Sequence, residues 1–168
     1  LLVKRFDVTE LRGRYHMISM QTLLDADGYY HLSYSHLFKV VLSHSAQPES
    51  DTELLFRQMG FNAAMGNTDD HLKNFSMLHT ECGYRLSPAY DLLPDINENR
   101  EHRLSFPQGA GTLSPGRKML ERIGKTYNIP HPASVVDHVF DQVSRFQTVF
   151  RQYRVPENDI QRLKTGIN

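Results

Sequence analysis

From Ala133 to Tyr153, the residues Val135, Val136, Val139, Phe140, Val143, Phe146, Val149, Phe150 and Tyr153 recur at the spacing of successive helical turns. That period places them on one face, and a helix with so broad an apolar stripe must bury it against other elements. The carboxy-terminal third is thereby committed to a packed helical layer. A cofactor or partner groove could use the same stripe, but packing onto neighbouring helices accounts for it more simply.

Earlier segments supply such neighbours. In "SYSHLFKVVLSHS", Ser33 or Ser35 can cap an apolar helical face. "ESDTELLFRQMGFNAAMG" opens with the capping-box pair Ser50 and Glu53, carries a predicted buried stripe of Leu54, Leu55, Met59 and Ala63, and stops at Gly66. "HMISMQTLLDA" is rich in helix formers. "PGRKMLERIGKTYNI" places Pro115 for a first turn, with Ile123 and Tyr127 one turn apart, and "ENDIQRLKTGI" closes the chain with a short helix. Strand signals are fewer. "LLVKRFD" reads as an extended apolar start, residues on either side of "ECG" alternate as a short hairpin, and Leu104 and Phe106 suggest a brief extended piece. The expected fold is mostly α with a small β-hairpin.

At 168 residues the chain suits one domain with a real core. Lys and Arg together number 19, as do Asp and Glu, so no net field draws nucleic acid or an anionic membrane. The single Cys82 excludes an intrachain disulfide and a cysteine-rich zinc site, and its turn-like setting marks it as an exposed, incidental thiol. No apolar run is long enough to span a bilayer and no signal-peptide pattern is present, which makes the cytoplasm the expected location.

Between two apolar stretches lies "GNTDDHLKNFS", residues 66–76. Asp69 and Asn74 stand in the spacing D-x-x-x-x-N, which in kinase catalytic loops lets the Asp meet a substrate hydroxyl while the Asn oxygen meets a metal. A further carboxylate, Asp91, follows the hairpin in "SPAYDLLP". Phosphoryl transfer calls for such a set, because charge on the phosphate oxygens is offset by Mg²⁺, which prefers hard oxygen ligands. Taken singly, each residue is better explained locally: Asp69 and Asn74 by bonds to nearby backbone, Asp91 as a cap or turn residue. The order helix, D-x-x-x-x-N loop, hairpin, Asp is far more specific. Asp70, next to Asp69, has no role in this scheme, so its replacement by Ala is expected to be tolerated.

"GNTDDHLKNFSMLH" followed by "YRLSPAYDLLP" resembles the carboxy-terminal lobe of the HipA family, bacterial toxin Ser/Thr kinases with a protein-kinase-like fold. "LLVKRFD" resembles the family's hinge. The likeness covers nearly the whole chain and is most specific at 66–76 and 85–94. It implies that residues 1–168 form a kinase-like carboxy-terminal domain, with Asp69 as the catalytic Asp and Asn74 and Asp91 as metal ligands. It further implies ATP and Mg²⁺ as cofactors, His71 near the transferred phosphate or in a structural hydrogen bond, Lys73 supporting the loop, and Phe6 at the adenine edge. Its implied partners are a protein substrate, an aminoacyl-tRNA synthetase among the candidates, and a DNA-binding antitoxin that would make any DNA contact indirect.

Two features depart from the family pattern. Lys4 stands at a hinge position that is commonly acidic, and the chain opens at that hinge without an initiating Met. The sequence is therefore expected to belong to a longer protein, with the amino-terminal lobe, its Gly-rich loop and the regulatory Ser outside it. The isolated chain is accordingly expected to be inactive. The alternative is a truncated, inactive module that only binds a partner. A metal-dependent hydrolase using Asp69, Asp70, His71 and His79 fits poorly, since an adjacent Asp-Asp-His cannot all point at one ion. A small-molecule kinase of the aminoglycoside type shares the Asp/Asn/Asp logic, but "SPAYDLLP" fits the HipA pattern better.

Overall fold

A computed structural model of the chain describes residues 5–10, 13–27, 31–95, 101–164 and 167. Its frame is helical: α2 (Tyr34–His44), α3 (Pro48–Met65), α4 (Arg117–Thr126), α5 (Pro132–Ser144), α6 (Phe146–Gln152) and α7 (Glu157–Lys164) follow the short α1 (Met20–Leu23). A three-stranded antiparallel sheet stands beside them, β1 (Met17–Ser19), β2 (Ser76–Thr80) and β3 (Gly83–Leu86) in that order. The sheet thus has one strand more than the hairpin the sequence suggests.

α3 is the central strut, packed on α2 and α5, and α4 packs on α5. Leu55, Phe56, Met59 and Ala63 of α3 meet Leu37, Phe38 and Val41 of α2, Leu120 and Ile123 of α4, and Val135 and Val136 of α5 in the main core. Fully burying an aliphatic or aromatic side chain is worth about 1.5–3 kcal/mol, so this cluster dominates the stability. A second cluster at the far end joins Ala64, Met65, Val139, Val143, Phe146 and Ile160. Tyr127, at the end of α4, stacks on Phe38 with ring centroids 3.8 Å apart.

The hairpin is pinned to α3 by Asp51, whose side chain is fully buried. Its carboxylate accepts from the Arg85 guanidinium at 2.8 Å, the Ser45 hydroxyl at 2.6 Å and the Leu86 amide at 2.7 Å. Burial pushes this carboxyl up, and the hydrogen bonds from Arg85, Ser45 and Leu86 together outweigh it, leaving Asp51 below its ordinary pKa.

Several elements differ from the sequence expectations, each for a local reason. In the proposed amino-terminal strand, residues 1–4 lie outside the described residues; Arg5–Asp7 are not in a strand, and Val8 bridges Arg14 around a turn. "HMISM" enters the sheet rather than a helix, because residues 17–19 pair with 76–78 of β2; Ser19 then caps α1 by accepting from the Thr22 amide. α3 begins earlier than the Ser50 box, at Pro48, and Glu53 pairs with Arg57 at 2.6 Å instead of capping. Leu54 lies 46% exposed, off the buried stripe. Pro115 precedes α4, whose cap is Gly116. The carboxy-terminal stripe breaks at Arg145, which turns α6 so that Val149 and Tyr153 are exposed. Ser33 caps α2, Cys82 is exposed in the two-residue hairpin turn, and Leu104 and Phe106 are buried beside isolated bridges at Ser105 and Phe106.

Candidate active site

α3 ends at Gly66, whose φ of +70° is the left-handed conformation that glycine adopts without steric cost. The chain leaves the helix there and enters the polar loop. The loop then alternates inside and outside: Asn67, Thr68 and Asp70 are buried, Asp69 and Lys73 exposed, Leu72 and Asn74 buried. A solvated connection would not sort its side chains in this way.

The inward set forms one continuous network. The Asn67 amide donates to Asn62 Oδ1 at 3.0 Å, Asn62 donates to the Tyr34 hydroxyl at 2.9 Å, and Tyr34 donates to Asp70 Oδ2 at 2.6 Å. His102 Nδ1 lies 2.9 Å from the same oxygen, and the Arg103 and Leu104 amides donate to Oδ1 at 2.8 and 3.3 Å. His102 Nε2 reaches Ser114 Oγ at 2.9 Å, just before α4. Burial, with the Asp70 charge beside it, holds the Tyr34 hydroxyl well above its ordinary pKa, so it stays a donor. Asp70, which sequence reasoning left without a role, is the hub that fastens the loop to the core. Thr68 adds a bond to Asp95 Oδ2 at 2.6 Å.

With Asp70 turned in, Asp69 is turned out. Its side chain is 65% exposed, and His71 Nε2 stands 3.8 Å from Oδ2. His71 Nδ1 is buried and makes no hydrogen bond to the described residues. The Asn74 side chain donates to the Asp69 carbonyl at 2.9 Å, which turns its Oδ1 away from that carbonyl. Asp91 is exposed on an irregular segment after β3, with a φ of +55°, and the described residues 92–95 form no helix for it to cap.

Asp91 is drawn toward the loop through its neighbour. The Tyr90 hydroxyl donates to the Lys73 carbonyl at 2.6 Å and lies 2.8 Å from Ser76 Oγ. Phe6 meets the Tyr90 ring at 5.8 Å between centroids. Asp69 and Asn74 are therefore joined directly, while Asp91 and Phe6 reach the loop only through Tyr90, whose hydroxyl meets Lys73 and Ser76. Nothing in the sequence beyond its place beside Asp91 marks Tyr90. The doubled Asp offers a signal for Asp70, since alternation would send two neighbours opposite ways if the loop is extended there.

Asn74 and Asp91 offer an amide oxygen and a carboxylate, hard donors of the kind Mg²⁺ takes together with substrate phosphates. This is a fit, and it differs from a closed protein cage. Among the described residues no group of three or more His, Cys, Asp or Glu could hold an ion. The hydrolase constellation is not assembled: Asp70 faces the core, and His79 stands edge-on to Tyr84 across the hairpin.

Comparison with known proteins identifies relatives of the chain. The sequence model of the HipA-like C-terminal domain matches residues 1–150. A Sinorhizobium fredii protein named "Putative kinase Y4mE" is 38% identical over 88 residues, 52% of this chain and 18% of that protein. A Haemophilus influenzae protein named "Putative kinase" is 30% identical over 71 residues, 42% of this chain and 21% of its own length. The matches thus span about a fifth of these curated relatives. HipA of Shewanella oneidensis MR-1, solved with HipB and its operator DNA, superposes with a TM-score of 0.72 at 17% identity, over 96% of this chain and 45% of HipA. At that identity the likeness establishes the kinase-like carboxy-terminal fold. No helix among the described residues is long and apolar enough to cross a membrane.

Proposed function

This chain belongs to the HipA-like C-terminal domain family, and from that premise we propose that it is the catalytic lobe of a bacterial toxin–antitoxin serine/threonine protein kinase. The observation that carries the reading is the opposed pair Asp69 and Asp70. One carboxylate is locked into the core by four donors, and the other is held in solvent with Asn74 bonded to its own backbone.

In this reading Asp69 orients the hydroxyl of a protein substrate and accepts its proton, while Asn74 and Asp91 hold Mg²⁺. The bound ion would supply the positive charge that offsets the phosphate oxygens. Asn74 has a second task, because its bond to the Asp69 carbonyl fixes the backbone from which the base projects. The paired rings of Phe6 and Tyr90 would border the adenine. His71, with Nε2 toward Asp69, would line the phosphate side of the loop. The substrate would be a protein of the translation machinery, an aminoacyl-tRNA synthetase being the candidate, and the partner a DNA-binding antitoxin.

The test is transfer from γ-labelled ATP by the full-length protein. Wild-type protein should label a protein hydroxyl in a Mg²⁺-dependent manner, and Asp69→Asn should not. Label transfer at an unchanged rate by Asp69→Asn would refute the assignment. Binding of the antitoxin by a protein that transfers no label would favour the partner-binding module instead.

A further inference from the structure

Tyr90 belongs to neither hydrophobic cluster, yet its hydroxyl is among the most heavily used polar atoms around the loop. The group has one proton. A carbonyl can only accept, so the proton points at Lys73 O, 2.6 Å away, and the Ser76 hydroxyl at 2.8 Å must donate to Tyr90. One oxygen thus ties together the turn ending at Asn74, the start of β2 and the segment carrying Asp91. The junction is closed from its other side by the Ser87 amide, which donates to the Ser76 carbonyl at 2.9 Å.

The positions of these bonds matter more than their number. Lys73 immediately precedes Asn74, and Tyr90 immediately precedes Asp91. The two residues assigned to the metal each lie one residue from the same hydroxyl. Asp91 also has a φ of +55°, a conformation that a non-glycine residue keeps only where its surroundings hold it.

We propose that Tyr90 is a positioning residue, whose hydroxyl sets the separation of Asn74 and Asp91 and thereby the affinity of the site for its divalent cation. This rests on the reading of Asn74 and Asp91 as metal ligands. Groups that orient metal ligands from behind typically account for about 10–100-fold in metal affinity; Tyr90 acts on both ligands one residue removed, through the Lys73 carbonyl before Asn74 and through its own backbone before Asp91.

The test uses the full-length protein with Mn²⁺ as a spectroscopic probe in the presence of ADP, beside hydrogen exchange read by mass spectrometry. Tyr90→Phe keeps the ring against Phe6 and removes only the oxygen. Its Mn²⁺ dissociation constant should rise about tenfold or more. Exchange in peptides spanning 72–76 and 88–93 should quicken, while peptides from α3 and α5 exchange as in wild type. Ser76→Ala spares the bond from Tyr90 to Lys73 and should give a smaller shift in the same direction. Wild-type Mn²⁺ affinity in Tyr90→Phe, with wild-type protein binding the ion, overturns the positioning role alone. If the wild-type protein binds no Mn²⁺, the kinase reading falls and takes this inference with it.

Discussion

The hydroxyl of Tyr34 donates a 2.6 Å hydrogen bond to Asp70, with both side chains closed off from solvent. Tyr34 comes from α2 and Asp70 from the polar loop, 36 residues later. The bond fixes which of two adjacent aspartates faces the core, and so which one faces solvent.

Replacing Asp70 should cost stability as well as activity. Asp70→Ala would leave Tyr34, His102 and the Leu104 amide without their acceptor, and each unsatisfied buried donor costs about 1–3 kcal/mol, while the Arg103 amide keeps the Thr68 carbonyl at 3.2 Å. A loss of about 3 kcal/mol or more in urea unfolding is the expected result. A change within about 0.5 kcal/mol, the range of surface substitutions, would show that the network is dispensable.

Asp69→Asn should have the opposite profile. The side chain is 65% exposed, so the unfolding midpoint should hardly move. Phosphoryl transfer by the full-length protein should fall by about 10²–10⁴-fold, the usual contribution of a positioned general base. Growth inhibition in bacteria, if the protein causes it, should vanish with the transfer while circular dichroism is unchanged.

At Asp91 the side chain and the backbone can be tested separately. Gly accepts a φ of +55° freely, whereas Ala there costs about 1–2 kcal/mol. Asp91→Gly and Asp91→Ala should therefore lose divalent-ion affinity equally while differing in melting temperature, Gly being the more stable. Equal stability would mean that the backbone relaxes on substitution. Unequal ion affinity would mean that more than the carboxylate is being read.

Asp51 should make the fold acid-sensitive in a defined way. Its folded pKa is depressed below the ordinary 3.8, net of the upward push of burial, by Arg85, Ser45 and Leu86. The unfolded chain therefore binds the proton more readily. The stabilisation is present above the unfolded pKa and is lost as pH falls through the folded one. Unfolding free energy measured from pH 5 down to pH 2 should drop more steeply in wild type than in Arg85→Ala, which should itself be less stable by about 3 kcal/mol at neutral pH.

Gly124→Ala sets helix propensity against packing. In a helix interior Ala gains about 1 kcal/mol over Gly. The added Cβ, however, would lie 2.5 Å from the Pro132 Cβ and 2.9 Å from the Phe56 ring. Overpacking of that kind costs about 1–3 kcal/mol, and the Pro132 ring belongs to the rigid start of α5. Net destabilisation in thermal unfolding is expected; a stabilised variant would show that α4 and α5 can move apart.

Much of this protein is local in origin and can be read from its sequence. The apolar periodicity of α2, α3 and α5 needs only the geometry of a helix, Gly66 only the left-handed turn that ends α3, and the hairpin only alternation about a two-residue turn. The D-x-x-x-x-N spacing and the following Asp91 likewise follow from their order along the chain. Other features arise only when distant segments meet. Residues 17–19 become a strand because 76–78 offer an open edge, a pairing that overrides their helical preference. Arg145 splits what reads as one stripe into two helices, since the second core turns toward α7. Asp69 and Asp70 are identical in chemistry and adjacent in sequence. Only Tyr34, His102 and the 103–104 backbone, brought from 36 residues before and more than 30 after, distinguish them. A buried carboxylate must find its donors wherever the fold supplies them, and no local pattern records where that will be.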